Sequence, residues 1–364
     1  MLFISTQYCY SDISKGLVSC IANKVKFDRS GLDGDLFRNL TCIPSVCALI
    51  SGRLNAKNDQ PYKAIVFRRP TTTKYNADGR HRLSYLAALV HPEYNRQITP
   101  SLQYMTLGSY KFTSGNKRLT IWYNIPKSIK KNTEILFVMH SVKRNGKNYR
   151  NDWIKYSNDK KFILLVPEFS NKEFPESSNY NLANIANSNG KINPRKDWHF
   201  NIIEEVFKDI KLKLNLDTKK YYLYGHSAGA QFVHRFVMFY PESSLKLAIS
   251  ANAGWYTFPD TTINFPYGLN GLNFKKDDFN QIFRKKLIIL LGNKDKDPNH
   301  KYLRKTKEAE AQGKHRFERG NNYFKSAKNI SSKQKMDFNW KIKYVRDVGH
   351  NNSAMSKEAV KLIK

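Results

Sequence analysis

The feature that most constrains the fold is a serine between two glycines, Gly225-x-Ser227-x-Gly229. Residues 221–224 before it form an apolar run of strand length, and residues 228–240 after it repeat apolar side chains at helical spacing. A sharp strand-to-helix turn needs glycine two positions before and after its central serine, because side chains there would clash. The segment therefore predicts a serine hydroxyl held at the carboxyl end of a strand and at a helix N-terminus.

The pattern from about Gly108 to the C-terminus predicts an α/β fold with a mostly parallel central sheet and helices on both faces. Several runs are apolar throughout, such as residues 135–139 and 287–291, and this is typical of strands covered on both sides. We assign residues 106–364 to this domain. The predicted strands are 119–123, 135–140, 162–167, 221–224, 245–250, 287–291 and 342–345, and the predicted helices are 200–214, 228–240, 303–311 and 353–363.

Residues 1–105 show no sustained period, and we leave them as an N-terminal region of unknown fold. They form either a small accessory domain or a poorly ordered segment, with one helix-like stretch at residues 83–90. All four cysteines lie in this region, at spacings that do not match a zinc site, so two disulfides and four thiols both stay open. They are Cys9, Cys20, Cys42 and Cys47.

The chain is strongly basic, with 62 Lys and Arg against 30 Asp and Glu and a formal net charge of +32. Residues 1–105 carry +7 and residues 106–364 carry +25, so the excess is spread along the chain. Such a distribution indicates either a solvated lysine-rich surface or attraction to an anionic partner. No nucleic-acid-reading motif accompanies it, and we expect no nucleic-acid partner.

No run of 18 apolar residues occurs, so we expect no transmembrane segment. The cytoplasm is the default compartment. Export and a lipoprotein are the alternatives. The lipoprotein is suggested by residues 17–20 (LVSC), which resemble a lipoprotein cleavage box although the stretch before them lacks a basic start. The sequence leaves the oligomeric state open.

A serine hydroxyl is a weak nucleophile at neutral pH and needs a base, which in turn needs an orienting acid. In a sheet enzyme of this kind these groups follow later strands, with the acid first. Asp295 follows the strand at residues 287–291, and His350 follows the last strand. We assign Ser227 as nucleophile, His350 as general base and Asp295 as orienting acid, with Asp297 as the alternative acid.

A developing oxyanion needs two hydrogen-bond donors. One is the backbone N–H of Ala228, and the other is expected in the loop after residues 135–140, with Val142 first and Ser141 second. Trp255 and Tyr256 follow another strand end, where they either line the substrate pocket or pack in the core. Arg144 either binds a substrate carboxylate or anchors its loop.

These motifs resemble the α/β-hydrolase superfamily, and within it bacterial esterases of the poly(3-hydroxybutyrate) depolymerase type. The resemblance covers every assigned catalytic position but not residues 1–105. That family usually has His-Gly in the oxyanion loop, whereas this chain has His140-Ser141, which puts the shape of the oxyanion hole in question. The matching stretches are residues 137–140, 143–146, 149–150, 166–169, 225–230, 252–256, 292–295, 312–320 and 349–350.

The sequence therefore predicts a serine hydrolase that cleaves a carboxylic ester, small or polymeric, through an acyl-enzyme, with no metal and no organic cofactor. A peptidase or an acyltransferase with the same triad is one alternative, because the pocket and not the triad selects the acceptor. An inactive hydrolase fold that serves as a basic binding protein is another, motivated by Ser141 and by the charge.

Overall fold

The computed structural model describes residues 106–363 and, nearer the N-terminus, four strands of backbone. The chain divides into two compact units, Met1–Pro100 and Ser101–Lys364, so the predicted boundary after residue 105 lies five residues further along. In the first unit the strands pair antiparallel in the order β1-β4-β3-β2. They are β1 (Gln7–Tyr10), β2 (Ile50–Ser51), β3 (Lys63–Arg68) and β4 (Arg82–Val90).

The helix-like stretch at residues 83–90 was wrongly predicted, because these residues form strand β4. A short apolar run does not separate helix from strand by its period alone. Pairing decides here, since β4 has β1 on one side and β3 on the other. The two disulfides or four thiols predicted for the cysteines lie outside the described side chains.

The second unit is built on one eight-stranded sheet. Its order is β12-β11-β10-β9-β7-β8-β6-β5. The pairs β5–β6 and β6–β8 are antiparallel, and the other five pairs of neighbours are parallel. The strands are β5 (Leu107–Ser114), β6 (Lys117–Asn124), β7 (Ile135–Met139), β8 (Ile163–Glu168), β9 (Tyr221–His226), β10 (Leu245–Ala251), β11 (Leu287–Gly292) and β12 (Trp340–Val345).

Helices cover both faces of this sheet, and the side chains of its strands alternate between two buried clusters. In β7, Phe137 packs on the side of the helices at residues 201–214 and 228–239, whereas Val138 packs on the side of those at residues 146–160 and 352–359. The helices are α1 (Gly146–Lys160), α2 (Glu176–Asn179), α3 (Asn201–Leu214), α4 (Ala228–Phe239), α5 (Lys276–Arg284), α6 (Lys307–Ala311), α7 (Arg316–Lys333) and α8 (Asn352–Ala359).

The predicted α/β architecture is confirmed, and all seven predicted strands are present. The helix predicted at residues 303–311 begins only at Lys307, where Thr306 caps it by accepting a hydrogen bond from Ala309 N. The helix predicted to reach residue 363 ends at Ala359 and continues as a 3-10 turn, Val360–Leu362. Among the helices of the described residues, none combines the length and the hydropathy that a transmembrane span requires.

Candidate active site

The serine stands in a strained turn between β9 and α4. Ser227 has φ 60° and ψ −117°, a conformation that a side-chain-bearing residue adopts at a cost. A Cβ on Gly225 would lie 2.3 Å from Gly229 O, and a Cβ on Gly229 would lie 2.1 Å from Met139 O. Both glycines are therefore required by close backbone approach, as the motif predicts.

Three side chains predicted from separate strand ends meet at the carboxyl edge of the sheet. His350 Nε2 lies 3.0 Å from Ser227 Oγ, and His350 Nδ1 lies 2.8 Å from Asp295 Oδ2. A carboxylate only accepts hydrogen bonds, so Nδ1 carries the proton and Nε2 is the atom that accepts from the serine hydroxyl. Asp295 is buried, whereas the His350 side chain is 15% exposed.

Asp297, the alternative acid, is exposed and accepts a hydrogen bond from Asn299 N at 2.8 Å. Asp295 has a second partner, since Arg316 Nη1 lies 3.4 Å from its other carboxylate oxygen. Both members of this ion pair are almost fully buried. Arg316 Nη2 also lies 3.0 Å from His300 Nδ1, and the His300 ring packs 5.3 Å from the His350 ring.

Backbone hydrogen bonds hold the two loops that carry Asp295 and His350 together. Lys294 N donates to Val348 O at 2.9 Å, and a Cβ on Gly292 would lie only 2.4 Å from the same carbonyl. Asn252, at the end of β10, joins both loops. Its side chain accepts from Gly292 N at 2.8 Å and donates to Gly349 O at 3.0 Å. These contacts fix the separation of the Asp295 and His350 side chains.

His226 and His140 are near the triad but fully buried. The His226 ring packs 4.6 Å from the His350 ring, its Nδ1 lies 3.2 Å from Tyr149 Oη, and its Nε2 has no hydrogen-bond partner. Burial lowers the pKa of His226 well below 6.5, and positive charge on His350 and Arg316 lowers it further. Burial likewise lowers the pKa of His140 to about 3. Both rings are therefore neutral at physiological pH.

The loop that was predicted to supply an oxyanion donor follows β7. Val142 is 48% exposed, and Ala228 is the first residue of α4, so its N–H has no acceptor within the helix. Ser141 turns its hydroxyl into its own loop, where Oγ donates to Asn145 Oδ1 at 3.3 Å. Arg144 donates to Phe169 O at 2.7 Å and to Glu176 O at 2.8 Å, so it makes the loop-anchoring contacts that one of its two interpretations requires.

The two aromatic residues after β10 lie in different surroundings. Tyr256 is fully buried in the core, with its ring stacked 4.5 Å from that of Tyr323. Trp255 is 3% exposed and belongs to a separate small cluster with Tyr267. The guanidinium of Arg235 lies 4.1 Å from the centre of its ring. Core packing thus describes Tyr256, whereas Trp255 lies apart from the main core.

Sequence reasoning missed Arg316, Asn252 and His300. A signal was available for two of them, since residues 252–256 and 312–320 are among the stretches that carry the resemblance. Their partners could not be predicted from the sequence, because Arg316 meets Asp295 only through packing of α7 against β11.

Among the described residues, no group of three His, Cys, Asp or Glu side chains is arranged to hold a metal ion.

The strand order, the strained serine and its neighbours together define an α/β hydrolase. Poly(aspartic acid) hydrolase-1 from Sphingomonas sp. KT-1 is a structural relative with 40% sequence identity. The match has a TM-score of 0.69 and covers 71% of this chain and 98% of that one. LpqC, a poly(3-hydroxybutyrate) depolymerase from Bordetella parapertussis, has 27% identity and the same TM-score, with 72% and 90% covered. No protein-family model matches the chain, and no curated protein does.

The identity and coverage of the first relative show the family. The chain belongs to the esterase-like serine hydrolases of the α/β-hydrolase superfamily, as its motifs predict, and it is a hydrolase.

Proposed function

We propose that this hydrolase cleaves carboxylic esters through an acyl-enzyme, with Ser227 as nucleophile, His350 as general base and Asp295 as the orienting acid. One observation carries the proposal: the imidazole of His350 lies within hydrogen-bonding distance of both the serine hydroxyl and the buried carboxylate. The backbone N–H groups of Ala228 and Val142 are the proposed oxyanion donors.

In the first half-reaction Ser227 Oγ attacks the ester carbonyl while its proton passes to His350 Nε2. Asp295 stabilises the resulting imidazolium, and the two N–H groups stabilise the oxyanion. Collapse breaks the bond to the leaving alkoxide, which takes the proton from His350. In the second half-reaction His350 accepts a proton from water while the water oxygen adds to the acyl carbonyl. Collapse of this second tetrahedral intermediate breaks its bond to Ser227 Oγ, which takes the proton back from His350 as the acid is released.

The test is hydrolysis of p-nitrophenyl butyrate by the wild-type chain and by Ser227→Ala, with Ser188→Ala, an exposed serine, as the matched control. We expect Ser227→Ala to lose at least roughly 10³-fold in kcat and the control to match wild type. A fluorophosphonate probe should label wild type and the control but not Ser227→Ala. Equal, measurable turnover by all three proteins would refute the assignment. Absence of turnover and of probe labelling in wild type would favour the inactive binding protein.

Hydrolysis of an acidic polyamide is a second candidate, and two observations favour it. The 40% identical relative is described as a poly(aspartic acid) hydrolase, and residues 106–364 of this chain carry a net charge of +25. Poly(aspartic acid) bears one carboxylate per unit, so a cationic surface attracts it and raises its local concentration. An amide also reacts through an acyl-enzyme, so the same triad serves this reaction.

A substrate comparison separates these candidates. The chain is incubated with poly(aspartic acid) and with poly(3-hydroxybutyrate), and released chain ends are measured at low and at high salt. Cleavage of the polyanion that weakens as salt screens the charges supports the second candidate. Cleavage of the polyester alone, with no salt dependence, supports the first. Transfer of an acyl group to an added amine or alcohol in preference to water would identify an acyltransferase.

A further inference from the structure

The small cluster around Trp255 contains two guanidinium groups. Arg235 Cζ lies 4.1 Å and Arg304 Cζ 4.9 Å from the centre of the indole ring. Tyr267 completes the cluster, with its ring 4.8 Å from that of Trp255 and its hydroxyl accepting a hydrogen bond from Arg304 Nε at 2.6 Å. Within residues 106–363, neither arginine forms an ion pair with a carboxylate.

Arg235 is an unusual buried cation. Its side chain is fully buried and donates to Thr257 Oγ1, Asn181 O and Gln231 O, but its Nη2 has no hydrogen-bond partner. Desolvation lowers its pKa to about 9, and the neighbouring positive charge of Arg304 contributes. Burying a cation without a counter-ion is costly, and contacts with neutral carbonyls and one indole face offset that cost in part. An anion bound nearby would supply the missing counter-charge.

Arg304 gives the cluster access to solvent. It is half-buried, and Nε is the one atom of its guanidinium with a hydrogen-bond partner among the described residues, which leaves both Nη groups as donors. The backbone of Arg304 is held in place by Arg319, whose side chain donates hydrogen bonds to Arg304 O at 3.0 Å and to Gly254 O at 2.8 Å. A planar guanidinium held in this way presents two parallel donors, which match the two oxygens of a carboxylate.

The cluster is connected to the proposed catalytic serine through α4. Gln231 N donates to Ser227 O at 3.1 Å, and Arg235 Nη1 donates to Gln231 O one turn further on. Eight residues of helix span about 12 Å, a distance that three to four units of an extended peptide-like chain cover. We therefore infer that a polymer with its scissile carbonyl at Ser227 brings a side chain three to four units away to the cluster.

We propose that Arg235, Trp255 and Arg304 form a subsite for a carboxylate of an acidic polymeric substrate, with Arg304 in direct contact. The inference rests on the proposed function and names the substrate class of the same site. Arg235, whose guanidinium lies 4.1 Å from the centre of the same indole ring, adds positive potential without contacting the carboxylate. This subsite differs from the positive charge spread over the surface, because it binds the carboxylate at one particular position along the bound polymer.

The test is calorimetric binding of tetra-aspartate to the full chain carrying Ser227→Ala, which prevents turnover, with tetra-asparagine as the uncharged ligand of equal length. Arg304→Gln is compared with Lys307→Gln, which removes the same charge from an exposed residue three positions away. We expect Arg304→Gln to weaken tetra-aspartate binding at least tenfold and Lys307→Gln to change it less than twofold. Arg304→Lys, which keeps the charge but not the fork, should fall between them.

Equal losses for Arg304→Gln and Lys307→Gln would show that general surface charge binds the peptide, and would overturn the subsite. Absence of binding to the Ser227→Ala chain, or equal binding of tetra-asparagine, would overturn it too. Thermal unfolding of each variant shows whether it is folded, and if Arg304→Gln is not, the comparison of Arg304→Lys with Lys307→Gln decides. Failure of the proposed function is seen separately, in turnover of p-nitrophenyl butyrate by the wild-type chain.

Discussion

His350 and His226 are neighbours at the same sheet edge, with ring centres 4.6 Å apart, yet their environments give them different chemistry. His350 is partly exposed and has a hydrogen-bond partner on each nitrogen. His226 is fully buried, with Nε2 unpartnered and its pKa held far below 6.5 by burial. Residue type and proximity to the serine therefore do not identify the base.

The difference originates in what surrounds each ring. Asp295 faces His350 and stabilises a positive charge on it, whereas no carboxylate pairs with His226 among the described residues. Arg316 affects both histidines. It pairs with Asp295, the partner of His350, and its positive charge helps to keep His226 neutral. The comparison supports the proposed proton transfer by His350 and leaves His226 as a neutral, buried neighbour, and each prediction below changes one part of this arrangement.

The largest effect is expected from removing the acid. Asp295→Asn keeps the shape of the side chain but favours the wrong tautomer of His350, and should lower kcat for an ester by roughly 10⁴-fold. Asp297→Asn removes an exposed carboxylate two residues away and should leave kcat within about twofold of wild type, a difference under about 0.5 kcal/mol. Steady-state kinetics on both variants decides, and a larger loss for Asp297→Asn would transfer the role to Asp297.

The next largest effect on kcat is expected at Arg316. We treat it as a positioning residue, because it acts through Asp295 and does not touch the substrate. Arg316→Met leaves Asp295 buried without its cation and should lower kcat roughly 10²-fold with KM unchanged. Breaking a buried ion pair also costs stability, so Arg316→Lys, which retains the charge, is the companion variant and should recover part of kcat. Arg346→Met, an exposed arginine of the His350 loop, is the control. A rise in KM with kcat unchanged would contradict the positioning role.

Much of the fold was predictable from local pattern, because the central strands are buried on both faces and read as continuous apolar runs. The helices and strands that were not predicted lack such continuous apolar runs. β5 is an edge strand whose residues alternate between exposed and half-buried, and α1 has five buried residues among fifteen, most of the others being polar. The α7 helix buries two arginines, Arg316 and Arg319, on a face that apolar periodicity does not reveal.

The positions of the candidate triad were predictable because strand ends in a parallel sheet gather at one edge, so Ser227, Asp295 and His350 needed only a strand assignment. Choosing between Asp295 and Asp297 required coordinates, since both follow β11 within five residues. The hydrogen bonds of Asn252 and Arg316 could not be predicted from the sequence either, because their partners are distant in the chain. The partners of Asn252 lie 40 or more residues away, and Asp295 lies 21 residues from Arg316.

A third prediction concerns stability in acid. Because the folded pKa of His226 is lowered, the unfolded chain binds its proton below pH 6.5 while the folded chain does not, so His226 lowers stability as pH falls. His226→Gln should flatten this fall by about 1.4 kcal/mol per pH unit below pH 6.5. Urea unfolding of both chains between pH 7.5 and pH 5 measures it, and the difference between them should be constant above pH 7. Parallel curves in acid would mean that His226 is charged when folded.

The smallest effect is expected at Ser141, where this chain departs from the His-Gly pattern. Its hydroxyl bonds within its own loop, and Arg144 holds that loop through two backbone carbonyls that the substitution does not affect. Ser141→Gly should therefore change kcat by less than about threefold, under about 0.7 kcal/mol, while greater backbone freedom costs about 0.5–1 kcal/mol of stability. Ester kinetics and urea unfolding measure the two quantities. A tenfold gain in kcat would mean instead that the Ser141 side chain narrows the oxyanion hole.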